Sequence, residues 1–472
     1  MKKILIFLVA VVAVVSIHGA SAQSRSSYFM EGSYFRSDLN PALVPTRGYV
    51  ALPGIGGVGV NVSNNFFSVD NFVYQRDNQL VTAFHESVSA DEFLGKLPST
   101  GKFAADVKTN IFGVGFYTNK TFWTLGVNAN VSTDMAMSMD VFKAVKSLGN
   151  GTYDLGNTAL EANGYLDIYL GSSFPVHENV NVGFKVKFLV GLASLDAQFS
   201  ELKANVSPES VNAKMRGVWR ANAILIDNSN IAADKAFAIG EMMRFDIDYM
   251  LGNIKHFGVA LDLGTEVRLL DDHLKLSAAV TDLGFIRWSA NQTCAVGTLD
   301  GDFTFNGMNL ETQDMDMDYD FRPTQERAPA NEKYNTTLNF SVNAGVEYNF
   351  LNNHIAFGLL SHNKFCNTMS YSELIASVNL RPTNWLSATV SHTFMNKNRP
   401  GIFGVALNIH PRVLNIYAGL DFIDTKWVNG PTIEGTQIPL PRYMKSINAY
   451  VGVGFNFARP KFLRPEKRVR LQ

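Results

Sequence analysis

The chain of 472 residues has two cysteines, Cys294 and Cys366, and a formal net charge of -1. After its first 22 residues it has no apolar run near the ~20 residues that a membrane helix needs. Two cysteines make neither a disulfide framework nor a zinc site, and whether they pair stays open. A balanced charge gives no cationic surface for nucleic acid. The missing apolar run excludes a helical membrane protein. No Gly-x-Ser-x-Gly, His-Glu-x-x-His or phosphate-loop motif is present. Ser361-His362 and Ser391-His392 are adjacent, but neighbours in a strand point to opposite faces and cannot act as nucleophile and base. Asp314, Asp316, Asp318 and Asp320 of "DMDMDYD" share one face of an extended segment. The stretch lacks the Gly at the sixth place (Tyr319) and the acid at the twelfth (Gln325) of the helical calcium loop, and it reads as an acidic solvated loop. The expectation is a non-enzyme with no catalytic, cofactor or metal site.

What is present begins with an export signal. Lys2 and Lys3 precede an apolar run from Ile4 to Ile17, and Ala20-Ser21-Ala22 supplies small residues for cleavage before Gln23. Residues 1–22 are therefore expected to be removed on export. No linker or shift of composition divides the rest, so one large body is the simpler reading.

Period-2 alternation recurs along that body. Val180, Val182, Phe184, Val186, Phe188 and Val190 alternate with a face carrying Lys185 and Lys187, and a run from Leu338 to Phe350 alternates without a fault. A water-soluble sandwich would show the same alternation. The spacing of the connections separates the two readings. Tight polar turns at 118–121, 175–179, 269–273, 351–353, 381–384 and 410–412 take turns with usually longer connections at 65–107, 135–160, 193–255, 288–333, 365–372, 395–400 and 425–445. Outer-membrane barrels have short periplasmic turns and longer outer loops in such alternation.

Strands are expected to start near 55, 108, 122, 161, 180, 256, 274, 334, 354, 373, 385, 401, 413 and 446, which makes fourteen. An even count puts both ends of the wall on the periplasmic side. "RGVWRANAILI" and "MRFDIDYML" in the 193–255 connection are candidates for an extra hairpin above the membrane. Phe116, Tyr117, Phe122, Trp123, Phe174, Tyr348, Phe350, Trp385, Phe455 and Phe457 crowd the strand ends beside the short turns and are expected to form the headgroup girdle. The fold class is thus all-β: a 14-stranded antiparallel transmembrane barrel over 55–457 with long extracellular loops, in the outer membrane and in contact with its lipid.

Asn40-Pro41-Ala42, ahead of the first strand, resembles the Asn-Pro-Ala segment of the FadL-like superfamily of outer-membrane barrels, which includes long-chain fatty-acid transporters and PorV-type secretion barrels. "LKLSAAVTDLGFIRW" (274–288) and "IPLPRYMKSINAYVGVGFNF" (438–457) are similar to an uncharacterised family of predicted outer-membrane barrels. The resemblance implies fourteen strands and an N-terminal segment, 23–54, folded inward as a hatch. After Phe457 the chain departs from barrels that end on an aromatic residue. Residues 458–472 carry Arg459, Lys461, Arg464, Lys467, Arg468 and Arg470 against Glu466, a basic periplasmic tail that either meets anionic headgroups or a partner or is simply solvated.

Lys185, Lys187, Asp262, Glu266 and Asp282 are expected to face the lumen, where pairing is favoured over a substrate path because an enclosed interior needs its charges matched. Phe29, Tyr34, Phe35, Leu39 and Leu43 either line a route for an apolar molecule or pack the hatch. Two functions remain: passive uptake or binding of a hydrophobic or amphiphilic small molecule, and a scaffold for a secreted protein docked on 193–255 and 288–333.

Overall fold

The computed structural model describes residues 25–460 apart from 77–78, 148–150, 157, 207–210, 228–243, 245, 290–293, 309–314, 324–325, 328–332, 369, 395–401, 425–426, 434–435 and 442–445. The signal at 1–22, the tail beyond Pro460 and the side chains of the "DMDMDYD" stretch lie outside the described residues.

Fourteen strands form one closed antiparallel barrel. They are β1 (Gly48–Ala51 and Val58–Asn64), β2 (Thr100–Thr118), β3 (Thr121–Ser138), β4 (Ala159–His177), β5 (Val180–Val206), β6 (Phe257–Leu269) and β7 (Leu274–Ser289). The second half comprises β8 (Lys333–Thr337 and Phe340–Phe350), β9 (Ile355–Phe365), β10 (Tyr371–Thr383), β11 (Leu386–Phe394), β12 (Ile402–Ile409), β13 (Leu414–Asp424) and β14 (Ser446–Phe457). Closure is made by β14 on β1: Gly48 pairs with Phe457 and Val58 with Val451, while the other edge of β1 pairs with β2. A closed ring is what hydrocarbon demands, since it offers no water to an unpaired N–H or C=O.

The expected starts hold to within a few residues for most strands. β2 differs, beginning at Thr100 because "TGKFAADV" extends it above the membrane, and β1 begins at Gly48 and is broken between Ala51 and Val58. The extra hairpin is also different. Val211–Ala223, which contains "RGVWRANA", pairs with the outer half of β5 and with Cys294–Met308, which in turn pairs with Met315–Pro323. Its expected partner instead contains the short helix Ile247–Gly252, capped by Asp246 through Tyr249 N at 2.7 Å. Cys294 and Cys366 are not joined by a disulfide.

The two faces of the wall have the polarity of a lipid-embedded ring. On β5, Val186 and Phe188 are 52% and 46% exposed, whereas Lys185 and Lys187 are buried. Leu170, Leu263, Leu283, Phe357, Val405 and Val451 extend the exposed apolar surface around the ring. A water-soluble sandwich would bury these side chains and expose the lysines.

Three local expectations fail, each for a physical reason. Val190 is buried, because the chain at Ile224 covers β5 there through a 2.9 Å bond to Leu192 O. Leu338 turns inward because β8 is interrupted at 338–339. Tyr117 and Phe122 leave the girdle and pack inward, where the Tyr117 hydroxyl donates to Pro45 O at 2.7 Å. Beside the same turn, Phe116 is exposed as expected, as are Tyr348, Phe350, Trp385, Phe455 and Phe457 elsewhere.

Val186→Arg, on the outward face, should destabilise the barrel in lipid vesicles by about 2–4 kcal/mol. Urea unfolding followed by tryptophan fluorescence reads the loss, and an unchanged midpoint would place Val186 away from hydrocarbon.

Candidate functional site in the barrel interior

Residues 25–45 contribute no strand to the wall and pack against its inner face. Two 3-10 turns, Arg25–Ser27 and Tyr34–Asp38, shape the segment, the second begun by Ser33, whose hydroxyl accepts from Phe35 N at 3.3 Å. Asn40 ties its own loop by accepting from Ala42 N at 2.9 Å and reaches the wall by donating to Thr265 O at 3.2 Å and Ala278 O at 3.3 Å. Asn181 donates to Ala42 O at 2.7 Å. The motif fits because Gly183 and Gly264 face each other across β5 and β6, and a Cβ on either would collide with Pro41 or Asn40. Asn40, Pro41 and Ala42 therefore occupy a slot built of two glycines.

Three charged side chains anchor the segment. Arg25 meets Glu373 at 2.6 Å and donates to Asn61 at 3.0 Å and Tyr371 at 2.9 Å. Glu31 pairs with Lys275 and accepts from Asn353 at 2.7 Å, above a buried pair of Arg381 and Glu347. Asp38 sits between Lys185 at 2.7 Å and Lys108 at 2.9 Å. Burial alone would push the Asp38 carboxyl up, but the two ammonium groups outweigh it and hold it well below the usual carboxylate range.

The five expected lumen residues thus divide. Lys187 brings Asp262 (2.8 Å) and Asp282 (2.6 Å) together, and Asp282 N donates to Asp262 Oδ1 at 2.7 Å. Lys185 goes to Asp38 instead, and Glu266 pairs with Arg268 of its own strand at 2.8 Å. Sequence reasoning missed Arg25, Glu31 and Asp38, although charged residues inside an apolar N-terminal stretch were the available signal. It also placed Arg381 in a turn, whereas β10 carries that residue into the interior with no exposure.

Two apolar clusters lie on the inner side. Phe29, Leu39 and Leu43 pack with Tyr28, Leu360 and Ile375, while Tyr34 and Phe35 join Tyr49, Phe122, Tyr417 and Tyr450 along the closing seam. Toward the extracellular end, Tyr165, Leu189, Ala260, Ile286, Trp288 and Leu338 form a third buried cluster. It exists because the register slips where Asp262 and Asp282 lie, with Asp282 at φ 63°, turning Ile286 and Trp288 inward. The Lys187, Asp262 and Asp282 triad lies next to it, since Leu189, Ala260 and Ile286 follow on the inner faces of the same three strands.

Residues 41–421 match the model of a family described as a family of unknown function (DUF5723). The chain belongs to this family. None of the curated proteins compared with it matches. Among solved structures the DUF5723 chain is similar to the toluene transporter TbuX of Ralstonia pickettii, with 10% identity, 93% of this chain and 96% of that one covered, and a TM-score of 0.39. It is similar to the toluene transporter TodX of P. putida (11%, 94% and 100%, 0.38) and to a FadL homologue of Pseudomonas aeruginosa (7%, 93% and 99%, 0.41).

Gly264→Val should unseat the segment while the wall still forms. Hydrogen exchange would then rise in residues 25–45 and stay slow in β5 and β6; unchanged protection of 25–45 would contradict the slot. Asp38→Asn should cost about 3–5 kcal/mol by leaving Lys108 and Lys185 unpaired. Because the Asp38 carboxyl is depressed, its contribution is complete above about pH 4 and is lost only as pH falls toward the lowered value, so acid release of the segment should begin below the ordinary carboxylate range.

Proposed function

We propose that this outer-membrane barrel passively takes up or binds a hydrophobic or amphiphilic small molecule, with residues 25–45 acting as a hatch, shorter than the expected 23–54 because Gly48–Ala51 belongs to β1. The observation that carries the reading is the break in β1. Residues 52–57 lie opposite only two residues of β14, since Ala51 pairs with Gly454 and Val58 with Val451. The excess chain bulges outward, with Gly54 at φ 75° and Ile55 exposed, yet its backbone stays tied through Leu52 N to Val453 O (3.1 Å) and Asn110 N to Gly57 O (2.7 Å). Behind it stands the aromatic cluster: the hydroxyls of Tyr34 and Tyr417 both donate to Gly56 O.

An apolar interior lining thus meets the wall where its ladder is interrupted, and a guest leaving there passes from phenyl and phenol rings to lipid without crossing water. Phe29, Tyr34, Phe35, Leu39 and Leu43 line the route on the hatch side, Asn40, Pro41 and Ala42 hold the hatch, and Lys185, Lys187, Asp262, Glu266 and Asp282 supply the polar part of the lumen. An amphiphile suits the juxtaposition of the outer apolar cluster and the charged triad.

Deleting residues 54–57 should restore regular pairing and cut entry of 1-N-phenylnaphthylamine into proteoliposomes by roughly tenfold, if the bulge controls a barrier of about 1.4 kcal/mol. Full uptake by the deletion variant would reject the outlet. No uptake by the parent chain, with a secreted protein copurifying until 288–333 is removed, would favour the scaffold, a reading to which the strands that project beyond the barrel at Val211–Ala223 and Cys294–Met308 lend support.

A further inference from the structure

The outer surface of β6, β7 and β8 carries a second arrangement, independent of the lumen. Its outward side chains fall in rows set by the pairing register. Val259, Phe285 and Thr337 form one row, and Phe257, Arg287 and Asn335 form the next toward the extracellular side. Ser289 and Lys333 follow, with Lys255 just ahead of β6. Arg287, Lys333 and Lys255 are all exposed, while His256, Ile286, Trp288 and Thr336 between them are buried.

The phenyl rings fix the depth. Phe257 stacks on Phe188 with centroids 5.4 Å apart, and both, like Phe285, are exposed. Exposed rings at the extracellular end of the apolar belt mark the headgroup boundary. Arg287 is the direct cross-strand partner of Phe257 and lies two residues beyond Phe285 on the same face. Lys333 pairs with Ser289 and is thereby the diagonal neighbour of Arg287, at the ~7–8 Å spacing of such positions.

Charge makes this surface unusual. In the interior Arg25, Lys108, Lys185, Lys187, Lys275 and Arg381 each have a carboxylate partner. Among the described residues, Arg287, Lys333 and Lys255 have none. Cations at headgroup depth draw anionic lipid to them. A guanidinium offers a planar fork matched to phosphate oxygens, and flanking ammonium groups add charge.

We propose that Arg287, Lys255 and Lys333 form a docking site for the phosphorylated headgroup of an outer-leaflet lipid. The occupant is a lipid and not a free anion because the cations stand directly beyond the row of Phe257 and Phe285: acyl chains cover the rings while the phosphate meets the fork. The site holds boundary lipid against the wall and takes no part in uptake.

The test uses the full folded chain in phosphatidylcholine nanodiscs containing a small fraction of fluorescent bisphosphorylated lipid A, or the same lipid dephosphorylated. Energy transfer from the barrel's tryptophans reports binding. The parent chain should enrich the phosphorylated lipid over the dephosphorylated one. The triple variant Arg287→Ala, Lys333→Ala, Lys255→Ala should lose that enrichment by roughly tenfold or more, and Arg287→Lys should retain part of it. Equal binding of the two lipids by the parent chain, undiminished binding by the folded triple variant, or full displacement of the lipid by inorganic phosphate would each overturn the proposal. Heat-modifiable gel migration reports folding, and if the triple variant does not fold, the two-lipid comparison on the parent chain decides alone.

Discussion

A backbone surrounded by hydrocarbon has to satisfy its own hydrogen bonds, and the rest of this molecule follows from that. A strand can do so only with a neighbour on each side, which forces closure of β14 on β1. Closure creates an interior cut off from lipid, so each strand must present apolar groups outward and small or polar groups inward at every second residue. The constraint also explains the form of the break in β1. Residues 52–57 leave the regular ladder, yet Leu52 N and Ile55 O bond to Val453 of β14, Gly54 N and Gly57 O bond to Asn110 of β2, and Ile55 N and Gly56 N turn back to Leu52 O, so the wall is interrupted in shape while much of its bonding continues.

The interior inherits a second constraint. Charges enclosed by protein are costly unless matched, and the wall's own complement is not self-sufficient. Lys187 finds Asp262 and Asp282 within the wall, but Lys185 and Lys108 share a carboxylate supplied by the N-terminal segment, and Glu373 takes its guanidinium from Arg25. The segment is therefore a counter-ion for the lumen as well as an occupant of it. Its apolar side chains do the complementary work, with Phe29 and Leu43 meeting Leu360 and Ile375, and Tyr34 stacking on Tyr49 with ring centroids 4.3 Å apart. Polar and apolar contacts together fix one seat.

How much of this was legible in the sequence depends on the range of the interaction. Alternation such as Val186, Lys187, Phe188 is local and repeats, so the fourteen strands and the outward face could be read directly, and the uneven gaps told a lipid-facing ring from a sandwich. Register slips were not legible, because they depend on a partner strand: nothing near Asp282 announces that Ile286 and Trp288 change sides, or that the break beside Asn339 turns Leu338 inward. Pairings across several hundred residues, such as Arg25 with Glu373, leave no periodic trace either. The Asn40 motif lay between these cases. Resemblance singled it out, but the reason for it is the pair Gly183 and Gly264, which lie on two other strands.

The seam between β1 and β14 also bears on how the molecule assembles. The residues that meet there are separated by nearly the whole chain, and contacts of such long range form late because their loop-closure entropy must be overcome first. Ser26 finds Asp421 and Ser391, and Arg25 finds Glu373, only when the last hairpins have arrived. The first turn of the described chain thus settles among late-made strands, while Asp38 and Asn40 find Lys108, Lys185, Thr265 and Ala278 on earlier ones, so a half-built sheet can hold one end of the N-terminal guest and seats the other only as the wall closes.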